Sequence, residues 1–109
     1  MLISREGHLV TLINVFETRP EQQQELIDQW IHFVEEVQGA PGMIGASLHR
    51  SRDGTRVVNY AQWRSKADLD RFQKKYREQM DARRQFAERV DPHRYEVVYL
   101  YEQKDELIS

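Results

Sequence analysis

The residues best suited to chemistry in this sequence are an amide and an indole four positions apart, Asn59 and Trp63. Both fall in residues 55–64, a stretch that predicts a strand. Alternate residues of a strand share a face, so both N–H donors are expected to point into one space and stabilise a negative charge developing on oxygen. His49, on the preceding predicted strand, is the candidate general base. Arg83, on a later predicted helix, is a candidate to hold a negatively charged oxygen.

Hydrophobic periodicity predicts the elements that position these residues. Residues 9–16 form an apolar, β-branched run, typical of a strand buried on both faces. Residues 18–21 (TRPE) have the pattern of a capping box and predict a helix with one apolar stripe, which ends in the glycine-containing loop 39–42. Residues 43–50 and 55–64, separated by an Asp-Gly dipeptide, predict a hairpin.

A second capping box at residues 65–68 (SKAD) predicts a second helix, broken once, that continues to about residue 89. Residues 95–101 then predict a last strand with one tyrosine-rich face. The order β-α-β-β-α-β predicts an α+β, ferredoxin-like fold, in which a four-stranded antiparallel sheet carries the helices on one face. Because the strands are apolar on both faces, we expect a homodimer that packs sheet against sheet.

Composition limits the classes of function. A chain of 109 residues predicts a single domain spanning residues 1–109, and the absence of cysteine excludes thiolate catalysis and iron–sulfur clusters. The 16 Lys and Arg residues against 18 Asp and Glu residues disfavour a nucleic-acid partner. Residues 1–8 lack the pattern of a signal peptide and no apolar run is long enough to span a membrane, which predicts a cytoplasmic protein. The four histidines have no metal-binding spacing, so no metal is expected.

Further residues are expected to line a binding cavity. Asn14 is a polar residue in a buried strand and must find a partner there. Several large apolar or aromatic residues lie on the predicted core faces and also serve as candidate cavity walls. The candidate substrate-binding residues are Asn14, Phe16, Trp30, Phe33, Leu69, Phe72 and Tyr76.

The stretch 53–65 (DGTRVVNYAQWRS), together with the loop 39–42 (GAPG) and the capped helix, resembles the antibiotic biosynthesis monooxygenase family. The similarity extends from about residue 10 to about residue 101, with residues 57–63 the most specific part. It implies a small dimeric α+β barrel, similar to the cofactor-independent oxygenases that convert polyketide anthrones to quinones. Dioxygen is then the co-substrate, and an electron-rich phenolate or anthrone enolate supplies the electron that a cofactor otherwise provides.

The resemblance also implies roles for particular residues. The substrate-contacting His, Asn and Trp of the family fall on His49, Asn59 and Trp63, and an Arg of the second helix falls on Arg83 or its neighbour Arg84. The sequence departs from the family at Leu69, where the anthrone oxygenases have a tyrosine proposed as proton donor. Tyr76 or a water molecule is the candidate substitute.

Three other functions remain open at this level. A related haem-degrading enzyme resembles this chain at Asn14, but Phe72 stands where a second Trp would fall and the second predicted helix carries no His. A stress-related barrel dimer would bind a ligand in the same cavity without turnover. A cyclase or isomerase would form product without consuming dioxygen, so oxygen uptake separates these functions from an oxygenase.

Overall fold

The structure, a computed structural model, describes residues 9–103. This part of the chain forms four strands and three helices, with short 3-10 turns before the first helix and after the last. The elements are β1 (Val10–Glu17), α1 (Gln23–Glu36), β2 (Met43–Arg50), β3 (Arg56–Trp63), α2 (Lys66–Lys75), α3 (Arg77–Arg83) and β4 (Arg89–Tyr95).

The four strands form one antiparallel sheet in the order β2-β3-β1-β4. The helices cover one face of this sheet, which confirms the predicted α+β, ferredoxin-like fold. In the central pair, β1 and β3, Asn14 lies opposite Asn59 and Leu12 lies opposite Ala61. Partners across antiparallel strands share a face, so these four side chains all point toward the helices.

The core lies between the helices and this face of the sheet. Phe16, Leu26 and Val57 are fully buried there, and the ring of Phe16 lies 5.1 Å from that of Trp30. Leu26, Trp30 and Phe33 follow the i, i+4, i+7 spacing of an amphipathic helix, and α1 buries all three. The apolar stripe predicted from the sequence therefore packs α1 onto the sheet.

The two predicted capping boxes have different outcomes. The Ser65 hydroxyl accepts a hydrogen bond from the Asp68 backbone N–H at 3.1 Å, which confirms the cap of α2. The capping box predicted at Thr18 is wrong, because the hydroxyl of Thr18 donates to the carbonyl of Phe86 at 3.5 Å instead. The chain enters α1 through a 3-10 turn that begins at Pro20 and has no side-chain cap.

The predicted last strand is misplaced. β4 spans Arg89–Tyr95, whereas residues 96–101 have no regular secondary structure. The second helical segment accordingly ends in a 3-10 turn at Phe86, not near residue 89. Pro92, taken from the sequence to precede the strand, lies within it opposite Asn14. An edge strand tolerates proline, because its outer N–H positions need no ladder partner.

The break predicted in the second helix is confirmed at Tyr76, which ends α2 and precedes α3. The other face of the sheet carries no helix and is half-buried at Ile13, Val15, Val58 and Tyr60. Among residues 9–103, no helix has the length and apolar character needed to cross a membrane.

Candidate active site

A cavity of about 270 Å³ lies between the sheet and the three helices. This volume is close to the lower end of the range for ligand pockets, roughly 300–1,000 Å³. Its inner part is formed by buried aromatic and aliphatic side chains, and its outer part by exposed side chains of α3 and β4. The lining residues are Leu12, Asn14, Trp30, Phe33, Val34, Val37, Met43, Ala46, Asn59, Ala61, Trp63, Leu69, Phe72, Gln73, Arg77, Met80, Asp81, Arg84, Val90 and Pro92.

Four of these residues bring buried polar atoms without partners to the cavity. The Oδ1 atoms of Asn14 and Asn59 and the Nε1 atoms of Trp30 and Trp63 have no hydrogen-bond partner among the described residues. The sequence contains just two Asn and two Trp residues, so all of them take part. Each such atom costs about 1–3 kcal/mol when left unpaired. Four of them around one cavity point to a ligand that supplies both donors and acceptors.

The strand register explains how these atoms come together. Asn14 and Asn59 are paired residues on β1 and β3, so their side chains leave the sheet side by side. Trp63 lies two positions of the same face beyond Asn59, as the alternation in the sequence predicts, and its ring packs 4.7 Å from that of Phe72. Trp30 approaches from α1 and meets Phe33 edge to face at 5.5 Å. Both indoles are therefore fixed by aromatic neighbours.

The entrance to the cavity is charged. Its exposed lining residues include Arg77, Asp81, Arg84 and Pro92, which we call the rim. Arg84 forms an ion pair with Asp81 at 3.4 Å, whereas Arg77 has no ion pair among residues 9–103. The rim thus carries one more positive than negative charge and would attract an anionic aromatic ligand.

Arg83, the predicted anion-holding residue, does not line the cavity. Its Nε donates to the backbone carbonyl of Gln29 at 2.9 Å, and its guanidinium lies 5.0 Å from the ring centre of Phe33. The side chain is 11% exposed. The structure therefore corrects the position expected for Arg83, which clamps α3 to α1. Its neighbour Arg84, the alternative that the family pattern allowed, reaches the rim.

His49, the predicted base, is also outside the cavity. It pairs with Val58 across β2 and β3, whereas Asn59 pairs with Leu48, so His49 lies on the opposite face of the sheet. Its Nε2 lies 3.0 Å from the hydroxyl of Ser47. This placement corrects the expectation that His49 joins Asn59 and Trp63 within one chain.

The predicted cavity wall is assembled in large part. Asn14, Trp30, Phe33, Leu69 and Phe72 line the cavity, and Leu69 is fully buried. Two further candidates lie behind the wall. They are Phe16, which is core, and Tyr76, which packs 4.8 Å from the ring of Phe72. Leu69 lines the cavity but has no hydroxyl group, and Tyr76, the candidate substitute for the family's tyrosine, does not line the cavity.

Polar contacts hold the outer wall in place. Arg94 on β4 donates to Asp70 at 2.7 Å and to Gln73 at 2.8 Å, both on α2. Hydrogen bonds from Lys66 and then Arg94 hold the pKa of Asp70 below its ordinary value. These contacts join the edge strand to the helix that contributes Leu69 and Gln73 to the cavity.

Sequence reasoning did not find most of the rim. The rim residues Arg77 and Asp81, and the cavity-lining residues Gln73 and Met80 near them, were not candidates, although the predicted helix break offered a signal. Because the helix changes direction at Tyr76, the residues after the break can turn across the cavity entrance.

The fold and the site define a small α+β protein with a largely apolar cavity between its sheet and its helices. Among the described residues, no cluster of three or more His, Cys, Asp or Glu residues forms a candidate metal site. Residues 9–89 match the family described as antibiotic biosynthesis monooxygenase, and the chain belongs to this family, as the stretch 53–65 predicted.

One relative is similar in sequence over part of its length. Tetracenomycin-F1 monooxygenase of Streptomyces glaucescens is 51% identical over 68 residues, which cover 62% of this chain and 61% of that protein. The chain thus matches about three fifths of the relative's length.

Solved structures share the fold over nearly the whole chain. A monooxygenase, ActVA-Orf6 of Streptomyces coelicolor, solved with nanaomycin D, gives a TM-score of 0.74 at 23% identity and covers 90% of this chain and 94% of its own. SnoaB, a cofactor-independent oxygenase from Streptomyces nogalater, gives 0.68 at 19% identity, with 88% and 99% covered. At these identities the similarity establishes the fold.

Proposed function

We propose that the chain is a cofactor-independent monooxygenase that oxidises a polycyclic aromatic phenol or anthrone-type polyketide to a quinone with dioxygen. The observation that carries this proposal is the set of four buried, unpartnered polar atoms around an aromatic cavity, contributed by Asn14, Trp30, Asn59 and Trp63. Flat aromatic walls suit a fused-ring substrate, and the polar atoms suit its hydroxyl and carbonyl oxygens.

The proposed reaction balances without a further reductant. An anthrone loses the two hydrogens of its central CH2 group and gains one oxygen atom as a carbonyl, while the second oxygen atom of O2 leaves as water. The substrate supplies all the electrons. The indole N–H groups of Trp30 and Trp63 stabilise the anionic oxygen of the enolate, and the asparagine carbonyls accept hydrogen bonds from substrate hydroxyls. The closed inner cavity keeps water from the reacting oxygen.

The comparisons support the substrate class. The relative with 51% identity is named for tetracenomycin F1, and the structural relative from Streptomyces coelicolor is described with nanaomycin D. SnoaB is described as a cofactor-independent oxygenase. A polycyclic ligand and catalysis without a cofactor therefore both have precedents among proteins of this fold.

The direct test is oxygen uptake by the purified chain with 1,8-dihydroxyanthrone. We expect one dioxygen to be consumed for each anthraquinone formed, faster than without protein and unchanged by a metal chelator. The variant Asn59→Leu should lower the rate strongly, because it keeps the side chain's size but removes the amide. The matched control is Gln38→Leu, which removes an exposed amide.

The remaining functions give different results in this assay. A ligand-binding barrel would bind the anthrone without consuming oxygen, and an isomerase or cyclase would form product without oxygen uptake. Either result would overturn the proposed oxygenase. If the chain degraded haem, it would have to bind haem, and a haem titration would shift the haem absorption band. The described cavity lining contains no histidine to ligate the iron.

We also propose that the chain forms a homodimer through the sheet face opposite the helices, giving an α+β barrel. That face is apolar at Ile13, Val15 and Val58, and the chain beyond β4 exposes further large side chains, with Val98 87% and Tyr99 79% exposed. A monomer would leave this surface in water. Sedimentation should give twice the mass of one chain, and Val58→Glu should give the monomer. A wild-type monomer would contradict the proposal.

A further inference from the structure

A second depression lies on the outside of the molecule between α1 and β2. It has a volume of about 310 Å³ and is lined by Ile31, Val34, Glu35, Ala46, Ser47 and Leu48. Most of these side chains are aliphatic, and Ile31 is 44% exposed at its edge. Four of its six lining residues do not line the active-site cavity.

The depression and the active-site cavity share part of their wall. Val34 on α1 and Ala46 on β2 line both spaces, so a single layer of side chains separates them there. Ala46 contributes just a methyl group to this layer. The half-buried Val34 side chain is therefore the larger of the two groups that must move aside for a very small molecule to pass between the two spaces.

The two openings differ in chemistry. The rim is charged, with Arg77, Asp81 and Arg84, which suits the entry of a polycyclic anion. Once that substrate occupies the cavity, it blocks the rim. The α1–β2 depression is mainly aliphatic, which suits a small apolar molecule that loses little hydration on entry.

We propose that the depression between α1 and β2 is the entry path for dioxygen, with Val34 and Ala46 as its inner gate. This inference rests on the proposed oxygenase function, because it assigns a route to the co-substrate of that reaction. It predicts that dioxygen reaches the cavity while the aromatic substrate is bound, so the two substrates do not compete for one entrance.

The test narrows the outer end of the path without touching the active-site cavity. Ile31→Trp places a bulky side chain on the depression, since Ile31 lines the depression and not the cavity. Ile44→Trp is the matched control, because Ile44 is 39% exposed nearby and lines neither space. Initial rates are measured over a range of dioxygen concentrations at saturating 1,8-dihydroxyanthrone, and anthrone binding is measured without oxygen by its absorbance change.

For Ile31→Trp we expect the KM for dioxygen to rise several-fold, with kcat at saturating oxygen and anthrone affinity unchanged. Ile44→Trp should leave all three quantities at wild-type values. An unchanged KM for dioxygen in Ile31→Trp, or a loss of anthrone affinity equal to the rise in KM, would overturn the path. A changed sedimentation mass in Ile31→Trp would also overturn it, because the depression would then be a contact between chains. Failure of the proposed function is distinct, since the wild-type protein would then consume no oxygen.

Discussion

The clamp formed by Arg83 gives a quantitative prediction about how the cavity entrance is held. Replacing Arg83 with Gln removes a charged hydrogen bond to the Gln29 carbonyl, worth about 1.5–3 kcal/mol, and a cation–π contact with Phe33, worth roughly 0.5–2 kcal/mol. The contact with Glu36 is 3.9 Å long and half exposed, and the hydrogen bond from Nη1 to the Gln79 carbonyl at 2.8 Å is exposed, so both add little. Because these effects share one side chain, we expect Arg83→Gln to lower the free energy of unfolding by about 2–4 kcal/mol.

The assay is urea unfolding followed by tryptophan fluorescence, which reports on the cavity because both tryptophans line it. The same fluorescence signal can be followed during heating. At about 4 °C per kcal/mol for a chain of this length, the predicted loss of stability lowers Tm by roughly 8–16 °C. The free energy of unfolding of Arg83→Lys should lie between those of Arg83→Gln and the wild type, since lysine keeps the positive charge but lacks the planar guanidinium group. Arg84→Gln is the control and should change stability by less than about 1 kcal/mol, because its ion pair is exposed. Equal unfolding midpoints for Arg83→Gln and Arg84→Gln would refute the clamp.

Three further predictions concern single residues. Asn59→Leu should raise the free energy of unfolding by about 1 kcal/mol in urea while turnover falls, because it removes a buried acceptor that lacks a partner; a loss of stability would contradict this. Hydrogen bonds from the side chain and backbone of Thr55 lower the pKa of Asp53 from 3.8 to about 2, so its stabilisation is present above about pH 4 and is lost as pH falls through about 2. Asp53→Asn should therefore flatten the stability profile measured between these values, and an unchanged slope would count against it. Gly42→Ala should cost at least about 1 kcal/mol in urea unfolding, since Gly42 has φ +86° and a Cβ there would collide with Asp68; wild-type stability would refute the collision.

The sequence predicted those parts of the fold that local pattern determines. The shared face of Asn59, Ala61 and Trp63 on β3 and the Ser65 cap hold in the structure, because they depend on neighbouring residues. β4 was missed because its residues, RVDPHRY, do not alternate in polarity. Pairing with β1 makes this segment a strand, and such pairing between distant residues overrides local preference.

In the candidate site, too, the sequence predicted the residues that a single strand brings together, but not those whose position depends on pairing between strands. Asn59 and Trp63 share a face by strand periodicity alone, and both line the cavity. The face of His49 depends on the register between β2 and β3, which is continuous from Arg50 to Gly45 and is set by the connection 51–55, not by the pattern of either strand alone. One residue of register moves a side chain to the other face of the sheet. Likewise, the clamp Arg83 is the last residue of α3, and the rim residue Arg84 is the first residue of the 3-10 turn that follows.

The most direct test of the central claim is isotopic labelling with oxygen-18 gas. The purified chain is supplied with 1,8-dihydroxyanthrone in ordinary water under labelled dioxygen, and the quinone is analysed by mass spectrometry. The proposed reaction predicts one labelled oxygen atom in each quinone, formed at a rate that Asn59→Leu lowers and Gln38→Leu does not. Unlabelled quinone, or labelled quinone formed equally fast by Asn59→Leu, would contradict the claim that this cavity directs dioxygen onto the substrate.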